Sequence, residues 1–259
     1  MLDTSIQMRA SLAQAALPIA TPSAVRELTE VALGFSLLEV ALWNLGWAQV
    51  AWGVTALACV LVITLLGTRT SGELGTGATG FRRSCAIIPA AATIGALTVL
   101  LAAWGGTLHI AHGLPLWHAG LYATWALVQE FLVQSFIFVR LESVFGGRRA
   151  ILASATLFAT AHLPNPMLIA ATFVMGLILT YWFWRHRNIY ALGIAHAILG
   201  LAVAVALPES ATHGMHVGAA FFAKSRPIPF ERIRLGPSSR LSARTGGEQS
   251  PVGAPSQNR

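Results

Sequence analysis

Long apolar stretches recur along this chain, and short segments rich in arginine, glycine or proline separate them. A helix of about 20 apolar residues crosses the hydrocarbon core of a bilayer. The pattern therefore predicts an all-α fold, a polytopic transmembrane helical bundle with about seven spans and a range of six to eight. The predicted spans are roughly Leu28–Trp47, Gln49–Gly67, Ala86–Trp104, Trp117–Val139, Ala150–His162, Met167–Trp184 and Ile189–Leu207.

The fifth predicted span is short and runs into a break. His162 is followed by Leu163-Pro164-Asn165-Pro166, where two prolines stop any helix. A broken backbone at membrane depth is tolerated only where protein or a watery cavity satisfies its polar groups. The sequence therefore predicts a cavity beside His162.

Basic residues are confined to every second loop between the predicted spans. By the positive-inside rule these loops face the cytoplasm, and so does the N-terminus. Arg140, at the end of the fourth span, is expected to extend along its helix to the membrane surface. The arginines in question are Arg69, Arg82, Arg83, Arg140, Arg148, Arg149, Arg185 and Arg187.

Composition supports a membrane protein. Charged residues make up 10% of the chain and the mean hydropathy is +0.64, whereas soluble domains carry about 25% charged residues. The net charge of +7 lies in loops and a polar tail without a nucleic-acid motif, so we expect membrane lipids and no nucleic acid as partners. Frequent Ala, Gly and Arg fit a bacterial inner (plasma) membrane.

The spans divide the chain into three predicted parts. Residues 1–27 form an N-terminal cytoplasmic segment and residues 28–207 form the bundle. Residues 208–259 form a basic C-terminal tail, which we expect to be disordered from about residue 224 because Pro, Ser, Gly and Arg replace large apolar residues there.

Three ionisable residues interrupt the apolar stretches: Glu130, His162 and His196. Such residues cost several kcal/mol at the centre of a membrane helix, so they usually mark a functional site. An acid and two imidazoles on different spans can hold a water or a metal and move protons, which suggests hydrolysis within the membrane. The structural alternatives are a carboxylate bonded to a neighbouring span and histidines that join helices.

Two amides accompany Glu130. Gln134 lies four residues further on and shares its helix face, and Gln129 lies about 100° around the helix. A polar stripe of this kind on an apolar helix faces protein or water.

The order Gln129-Glu130-x-x-x-Gln134, then Phe158-x-x-x-His162, then a mid-span His196 resembles the three-motif pattern of the CAAX-protease and bacteriocin-processing (CPBP) intramembrane proteases. The resemblance covers a core at about residues 117–207. It implies an intramembrane endopeptidase that cleaves a peptide or membrane-anchored protein. Glu130 would activate water, and His162 and His196 would stabilise the tetrahedral intermediate.

The chain departs from that pattern at three positions. Gln129 replaces the family's first glutamate, Gln134 replaces an arginine, and Gly200 stands where an asparagine helps to polarise the scissile carbonyl. Glu130 is the acid that remains in the motif and is therefore the expected base. Asn165 is the candidate replacement for the missing donor.

A glutamate with two histidines also resembles a zinc site, and family members were long called metalloproteases. The His-Glu-x-x-His spacing that places two ligands on one helix is lacking. We therefore favour a glutamic mechanism without a cofactor. Zinc held by Glu130, His162 and His196 remains the alternative.

Two other functions stay open at this stage. The substitutions in the motifs also fit a catalytically inactive immunity or scaffold membrane protein of the same fold. A proton-coupled carrier that uses Glu130 as its titrating group is the third hypothesis.

Overall fold

The computed structural model describes residues 22–108 and 116–224, and within them all regular structure is helical. The predicted all-α fold is confirmed. In chain order the helices are α1 Pro22–Leu42, α2 Gly46–Leu66, α3 Ser71–Leu74, α4 Phe81–Ser84, α5 Ile87–Trp104, α6 Leu116–Glu130, a π-helix Phe131–Phe138, α7 Val139–Phe145, α8 Gly147–Thr160, α9 Pro166–His186, α10 Ile189–Ala206, α11 Glu209–Thr212, a 3-10 helix His213–Met215 and α12 Gly218–Lys224.

Five helical stretches in the described residues are long and apolar enough to cross a membrane. They are Gly46–Leu66, Phe81–Trp104, Trp117–Phe145, Pro166–His186 and Ile189–Ala206. The first and fifth predicted spans are not among them. Helix α1 carries four charged residues, and the 14 residues of α8 extend only about 21 Å. The all-helical membrane fold is therefore confirmed, whereas the count of seven spans stays a prediction.

Ion pairs account for three of the four charged residues of α1, Arg26, Glu27 and Glu30. Arg140 is 2% exposed, and its Nε donates to Glu30 at 2.8 Å. Arg69 donates to Glu27 at 2.6 Å. The expectation that Arg140 extends to the membrane surface is therefore wrong, because α1 supplies its counter-charge inside the bundle.

The helix that contains Glu130 changes its winding directly after that residue. Phe131–Phe138 is π-helical, and the N–H of Val139 donates to the carbonyl of Gln134, five residues earlier. Single π turns inside α-helices are frequent at functional sites. The π segment is also largely buried, so a change of winding there alters what the core-facing side chains contact.

The predicted break after His162 is present. Helix α8 ends at Thr160 and α9 begins at Pro166. Asn165 caps α9, since its side chain accepts a hydrogen bond from the N–H of Leu168. Proline in the first turn suits a helix start, because its missing N–H would have no partner in the helix.

The segment after α10 folds back onto this break. The Asn165 amide donates to the carbonyls of Thr212 and His216, and the N–H of Gly218 donates to the carbonyl of Leu163. Residues 208–224, the first part of the predicted tail, thus contain short helices that contact the bundle. The predictions for residues 1–21 and for a disordered tail beyond residue 224 lie outside the described residues.

Helix α10 occupies a central position, since it packs along both α5 and α6, while α8 packs on α9 and α1 on α2. A small residue permits the close contact with α6. A Cβ atom on Gly193 would lie 3.0 Å from the Leu127 side chain and 3.2 Å from its Cα. Glu130 follows Leu127 by three residues and His196 follows Gly193 by three. This close approach therefore sets the distance between the acid and the imidazole.

Candidate active site

Glu130 and His196 form a buried pair between α6 and α10. Glu130 is 1% exposed and His196 is 4% exposed. Nδ1 of His196 lies 2.9 Å from Oε1 of Glu130, within hydrogen-bond distance. The structure thus joins one predicted histidine directly to the predicted acid.

Gln134 binds the other oxygen of the same carboxylate. Its Nε2 donates to Oε2 of Glu130 at 3.1 Å, and the amide is itself buried. The shared helix face expected for residues four apart is present, even though Gln134 lies in the π segment. Both carboxylate oxygens of Glu130 are therefore engaged and held in one orientation.

His162 reaches the same region from the turn after α8. Its Nδ1 lies 2.8 Å from the carbonyl oxygen of Phe158. The Phe158 ring stands edge-on to both imidazoles, with centroid distances of 5.0 Å to His162 and 5.9 Å to His196. Within residues 22–108 and 116–224, no hydrogen bond joins His162 to Glu130 or to His196. Phe158 spaces the two rings, which is a physical role for this supporting residue.

These partners fix the proton positions on the two neutral rings. A carbonyl oxygen can only accept, so Nδ1 of His162 must carry the hydrogen and Nε2 keeps a lone pair. An ionised Glu130 imposes the same tautomer on His196. Each neutral imidazole is therefore left with Nε2 as a hydrogen-bond acceptor.

An apolar cavity of about 540 Å³ lies beside the pair. Its walls come from α1, α5, α6, the π segment, α8, α9 and α10. The lining includes His196 and Gln129 but not Glu130, whose carboxylate contacts the cavity only through His196. The side chains in the lining that carry a polar N–H, O–H or ring nitrogen are Tyr122, Trp125, Gln129, His162, Thr172 and His196.

Asn165 does not line this cavity. Its side chain is fully buried, its oxygen caps α9, and its nitrogen donates to two carbonyls of the segment after α10. The amide is thus already engaged on both sides. A role as substitute donor to a reacting carbonyl has no support from this position.

Tyr122 is a cavity residue that the sequence analysis missed. It lies seven residues before Gln129, and two helical turns return to nearly the same face. Its hydroxyl occupies the space beside Gly200, where an added Cβ would be only 1.8 Å away. The spacing of seven residues between Tyr122 and Gln129 is the sequence signal that would have placed Tyr122 on the same helix face.

The residues do not fit the alternative zinc site. Among the described residues, no group of three or more His, Cys, Asp or Glu side chains is arranged to hold a metal ion. The oxygens of Glu130 are bound to His196 and Gln134.

In residues 22–108 and 116–224, a helical bundle with five stretches able to cross a membrane encloses a buried acid–imidazole pair beside an apolar cavity, which defines the class, an integral membrane protein. Residues 111–202 match the model of the family described as type II CAAX prenyl endopeptidase, Rce1-like. This match contains Glu130, His162 and His196, and it confirms the resemblance to the CAAX proteases over that stretch. Neither the curated proteins nor the solved structures gave a significant match to the chain.

Proposed function

We propose that this protein is an intramembrane endopeptidase in which Glu130 and His196 act together as the general base. The hydrogen bond between His196 Nδ1 and Glu130 Oε1, beside an apolar cavity, is the observation that carries the proposal. A buried carboxylate that orients an imidazole is the arrangement by which hydrolases make histidine an effective base.

The cavity supports an apolar, membrane-associated substrate. Its volume of about 540 Å³ falls within the 300–1,000 Å³ that is common for ligand pockets. The matched family is named for prenyl endopeptidases, so a membrane-anchored peptide or a prenylated protein is the substrate class that we propose. A small apolar peptide would fit the same lining.

The reaction follows from the tautomers. His196 Nε2 takes a proton from water while the water oxygen bonds to the carbonyl carbon, and Glu130 stabilises the resulting imidazolium. His162 Nε2 accepts the second hydrogen of that water and holds it in place. The imidazolium then donates its proton to the amide nitrogen, the C–N bond breaks, and a carboxylic acid and an amine leave.

This scheme changes the roles expected from sequence. Glu130 acts on water through His196, because its carboxylate does not line the cavity. The neutral imidazoles accept hydrogen bonds from water and do not donate them to the oxyanion, because each has its one hydrogen on Nδ1.

The test is cleavage of prenylated and unprenylated membrane-anchored peptides by the purified protein in lipid vesicles. Glu130→Gln should lower kcat by about 10⁴, the loss seen when the orienting acid of a catalytic triad becomes an amide. His196→Ala and His162→Ala should also lower kcat. Glu39→Gln removes a carboxylate of α1 that does not line the cavity, and it serves as the matched control. Cleavage that persists in both Glu130→Gln and Glu130→Ala would refute the assignment.

Chelation tests the zinc alternative in the same assay. Full activity after exhaustive treatment with a chelator supports the metal-free reaction. Activity that disappears and returns on addition of zinc would establish a metalloenzyme.

One observation favours a second candidate, a catalytically inactive immunity or scaffold protein. The cavity residue at the first motif position is the amide of Gln129, and the carboxylate of Glu130 lies outside the lining. If wild type binds peptides without cleaving them and Gln129→Glu gains cleavage, the inactive reading holds. In an active protease, Gln129→Glu leaves turnover unchanged or raises it. Proton flux that depends on Glu130, without cleavage of any peptide, would instead indicate the carrier.

A further inference from the structure

The Tyr122 hydroxyl projects into the cavity at the one glycine that borders it. A Cβ atom on Gly200 would lie 1.8 Å from that hydroxyl oxygen and 2.7 Å from the ring carbon that carries it. Both residues line the cavity. Gly200 thus leaves the space that the tyrosine fills.

The position of this hydroxyl relates it to the catalytic pair. Gly200 follows His196 by four residues on α10, and residues at this spacing are neighbours about 5–6 Å apart on one helix face. Tyr122 precedes Gln129 on the cavity face of α6. The hydroxyl therefore lies about one helical turn from His196.

The hydroxyl has no structural partner that would explain its place. Among residues 22–108 and 116–224, no hydrogen bond to the Tyr122 oxygen is present. The other two tyrosines provide a contrast: the hydroxyl of Tyr190 donates to the carbonyl of Thr76 at 3.0 Å, and Tyr181 is 48% exposed. Tyr122 keeps an O–H donor inside an apolar cavity.

Peptide hydrolysis needs such a donor. Attack on the carbonyl carbon moves an electron pair to the oxygen, and donors aimed at that oxyanion stabilise the transition state. Both neutral imidazoles present acceptors, the proton that His196 Nε2 takes from water goes to the leaving nitrogen, and Asn165 is engaged in its helix cap. The side-chain donors left in the described cavity lining are the Tyr122 hydroxyl, the Gln129 amide and the indole N–H of Trp125, apart from Thr172, which bonds to its own helix. Of these, the hydroxyl of Tyr122 is the donor that lies beside Gly200, one helical turn from His196.

We propose that the Tyr122 hydroxyl, which occupies the space beside Gly200, donates a hydrogen bond to the oxyanion formed at the scissile carbonyl. This inference rests on the proposed endopeptidase function. Tyr122 keeps its proton throughout, so the proton balance described above is unchanged. When the C–N bond breaks and the carbonyl re-forms, the hydrogen bond weakens and the product is released.

Tyr122→Phe is the direct test, because it removes one oxygen atom and keeps the ring. We expect kcat to fall by about 10² or more, the loss typical of one oxyanion donor. KM should change little, since the bond strengthens only in the transition state. Tyr181→Phe deletes the same atom from an exposed ring outside the cavity lining and should behave as wild type.

Binding of a phosphinic peptide provides a readout that a merely structural role would not move. Its tetrahedral phosphinate oxygen takes the place of the oxyanion. Tyr122→Phe should weaken this inhibitor by the same factor as kcat/KM, while the affinity for the product peptides stays as in wild type.

A second variant pair keeps the inference falsifiable if the tyrosine also matters for packing. Tyr122→Ala removes the donor and opens space beside Gly200. The double variant with Gly200→Asn should then turn over at least tenfold faster than Tyr122→Ala alone, because the asparagine amide reaches the position that the tyrosine hydroxyl held. The matched addition of Gly200→Leu fills the space without a donor and should restore nothing.

The outcomes separate the two proposals. If wild type cleaves, Glu130→Gln does not, and Tyr122→Phe stays within about threefold of wild type, the inference is overturned and the endopeptidase stands. A raised KM at unchanged kcat would also overturn it, because the hydroxyl would then bind the ground state. If wild type cleaves no peptide of the panel, both proposals fail.

Discussion

At the residue scale, two pairs of ionisable side chains have different positions in this bundle. Glu130 and His196 meet beside the cavity, and His196 lines it. Arg140 and Glu30 join α7 to α1 without lining the cavity, and Arg140 also donates to the carbonyl of Phe136. The first pair can exchange protons with a bound water. The second pair holds the helices together.

Replacing Arg140 should therefore reduce stability without touching the chemistry. Arg140→Met removes a buried guanidinium and leaves the partly buried Glu30 carboxylate with Arg26 as its partner. The lost hydrogen bond between charged groups should cost about 1.5–3 kcal/mol. Arg26→Met removes another arginine bound to the same carboxylate, but the Arg26 side chain is 67% exposed and exposed pairs contribute little. Thermal unfolding in detergent should show a large fall in Tm for Arg140→Met and almost none for Arg26→Met.

The double variant supplies the control. Arg140→Met combined with Glu30→Gln removes both charges and should recover part of the lost Tm. If Arg140→Met abolished cleavage at an unchanged Tm, Arg140 would belong to the catalytic machinery and the structural assignment would be wrong.

The ionisable residues of the candidate site were visible in sequence for a simple reason. Glu130, His162 and His196 are ionisable and lie in apolar stretches, where their cost makes them conspicuous. Tyr122 was not visible, because an aromatic residue with a hydroxyl is ordinary in a membrane helix. Its meeting with Gly200 depends on how closely α6 and α10 approach, which no local pattern shows.

At the element scale, the π segment was the largest difference from the expected helices. The sequence predicts a regular helix over Trp117–Val139, whereas the structure winds Phe131–Phe138 as a π-helix. This segment consists almost entirely of apolar residues, interrupted by Gln134 and Ser135. A helix that is apolar all round has no polar face to record a change of winding, so the periodicity could not reveal it.

The contact between α6 and α10 leads to a prediction at the same scale. Gly193→Ala places a Cβ against Leu127, at 3.0 Å from its side chain and 3.2 Å from its Cα. The helices must separate slightly, and overpacking of this kind costs about 1–3 kcal/mol. Glu130 lies about one turn from Leu127 on α6, and His196 lies about one turn from Gly193 on α10. When the helices separate, the hydrogen bond between Glu130 and His196 should lengthen and turnover should fall by about tenfold or more.

Gly120→Ala is the matched control on the same helix pair, because a Cβ there meets no atom within 4 Å. It should leave turnover and Tm unchanged. Peptide cleavage and thermal unfolding measured on both variants decide the matter. Equal turnover in Gly193→Ala and Gly120→Ala would show that the helix spacing does not control the acid–imidazole pair.

At the scale of the whole molecule, the loops predicted to face the cytoplasm meet at one end of the bundle. Arg187 is paired with Glu142, the Asn188 amide donates to the carbonyl of Gly77, and Tyr190 donates to Thr76. These contacts join the loops that follow the second, fourth and sixth predicted spans. The alternation of basic and uncharged loops predicted that these three loops lie at the same end of the bundle, because arginine and lysine collect in the loops on one face of a membrane.

The number of spans does not follow directly from hydropathy. Glu27 and Glu30 make α1 look polar, yet both are paired with arginines of other segments. Helix α8 is too short to span alone, although it packs along α9 within the bundle. A hydropathy profile depends on the length and the charge of one helix at a time. The positions of α1 and α8 depend on contacts with other segments of the chain.

Cysteine labelling tests the predicted orientation of the molecule. In a background without Cys59 and Cys85, Arg83→Cys, Arg149→Cys and Arg185→Cys each place a thiol at an exposed position of one basic loop. A membrane-impermeant maleimide should label all three in inverted inner-membrane vesicles and none in intact spheroplasts. Leu45→Cys, in the turn between α1 and α2, should show the opposite behaviour, because α2 separates that turn from the basic end. If the three arginine positions divided between the two sides, the loops could not share the end at which their side chains meet. If all four positions reversed together, the bundle would stand but the N-terminus would face away from the cytoplasm.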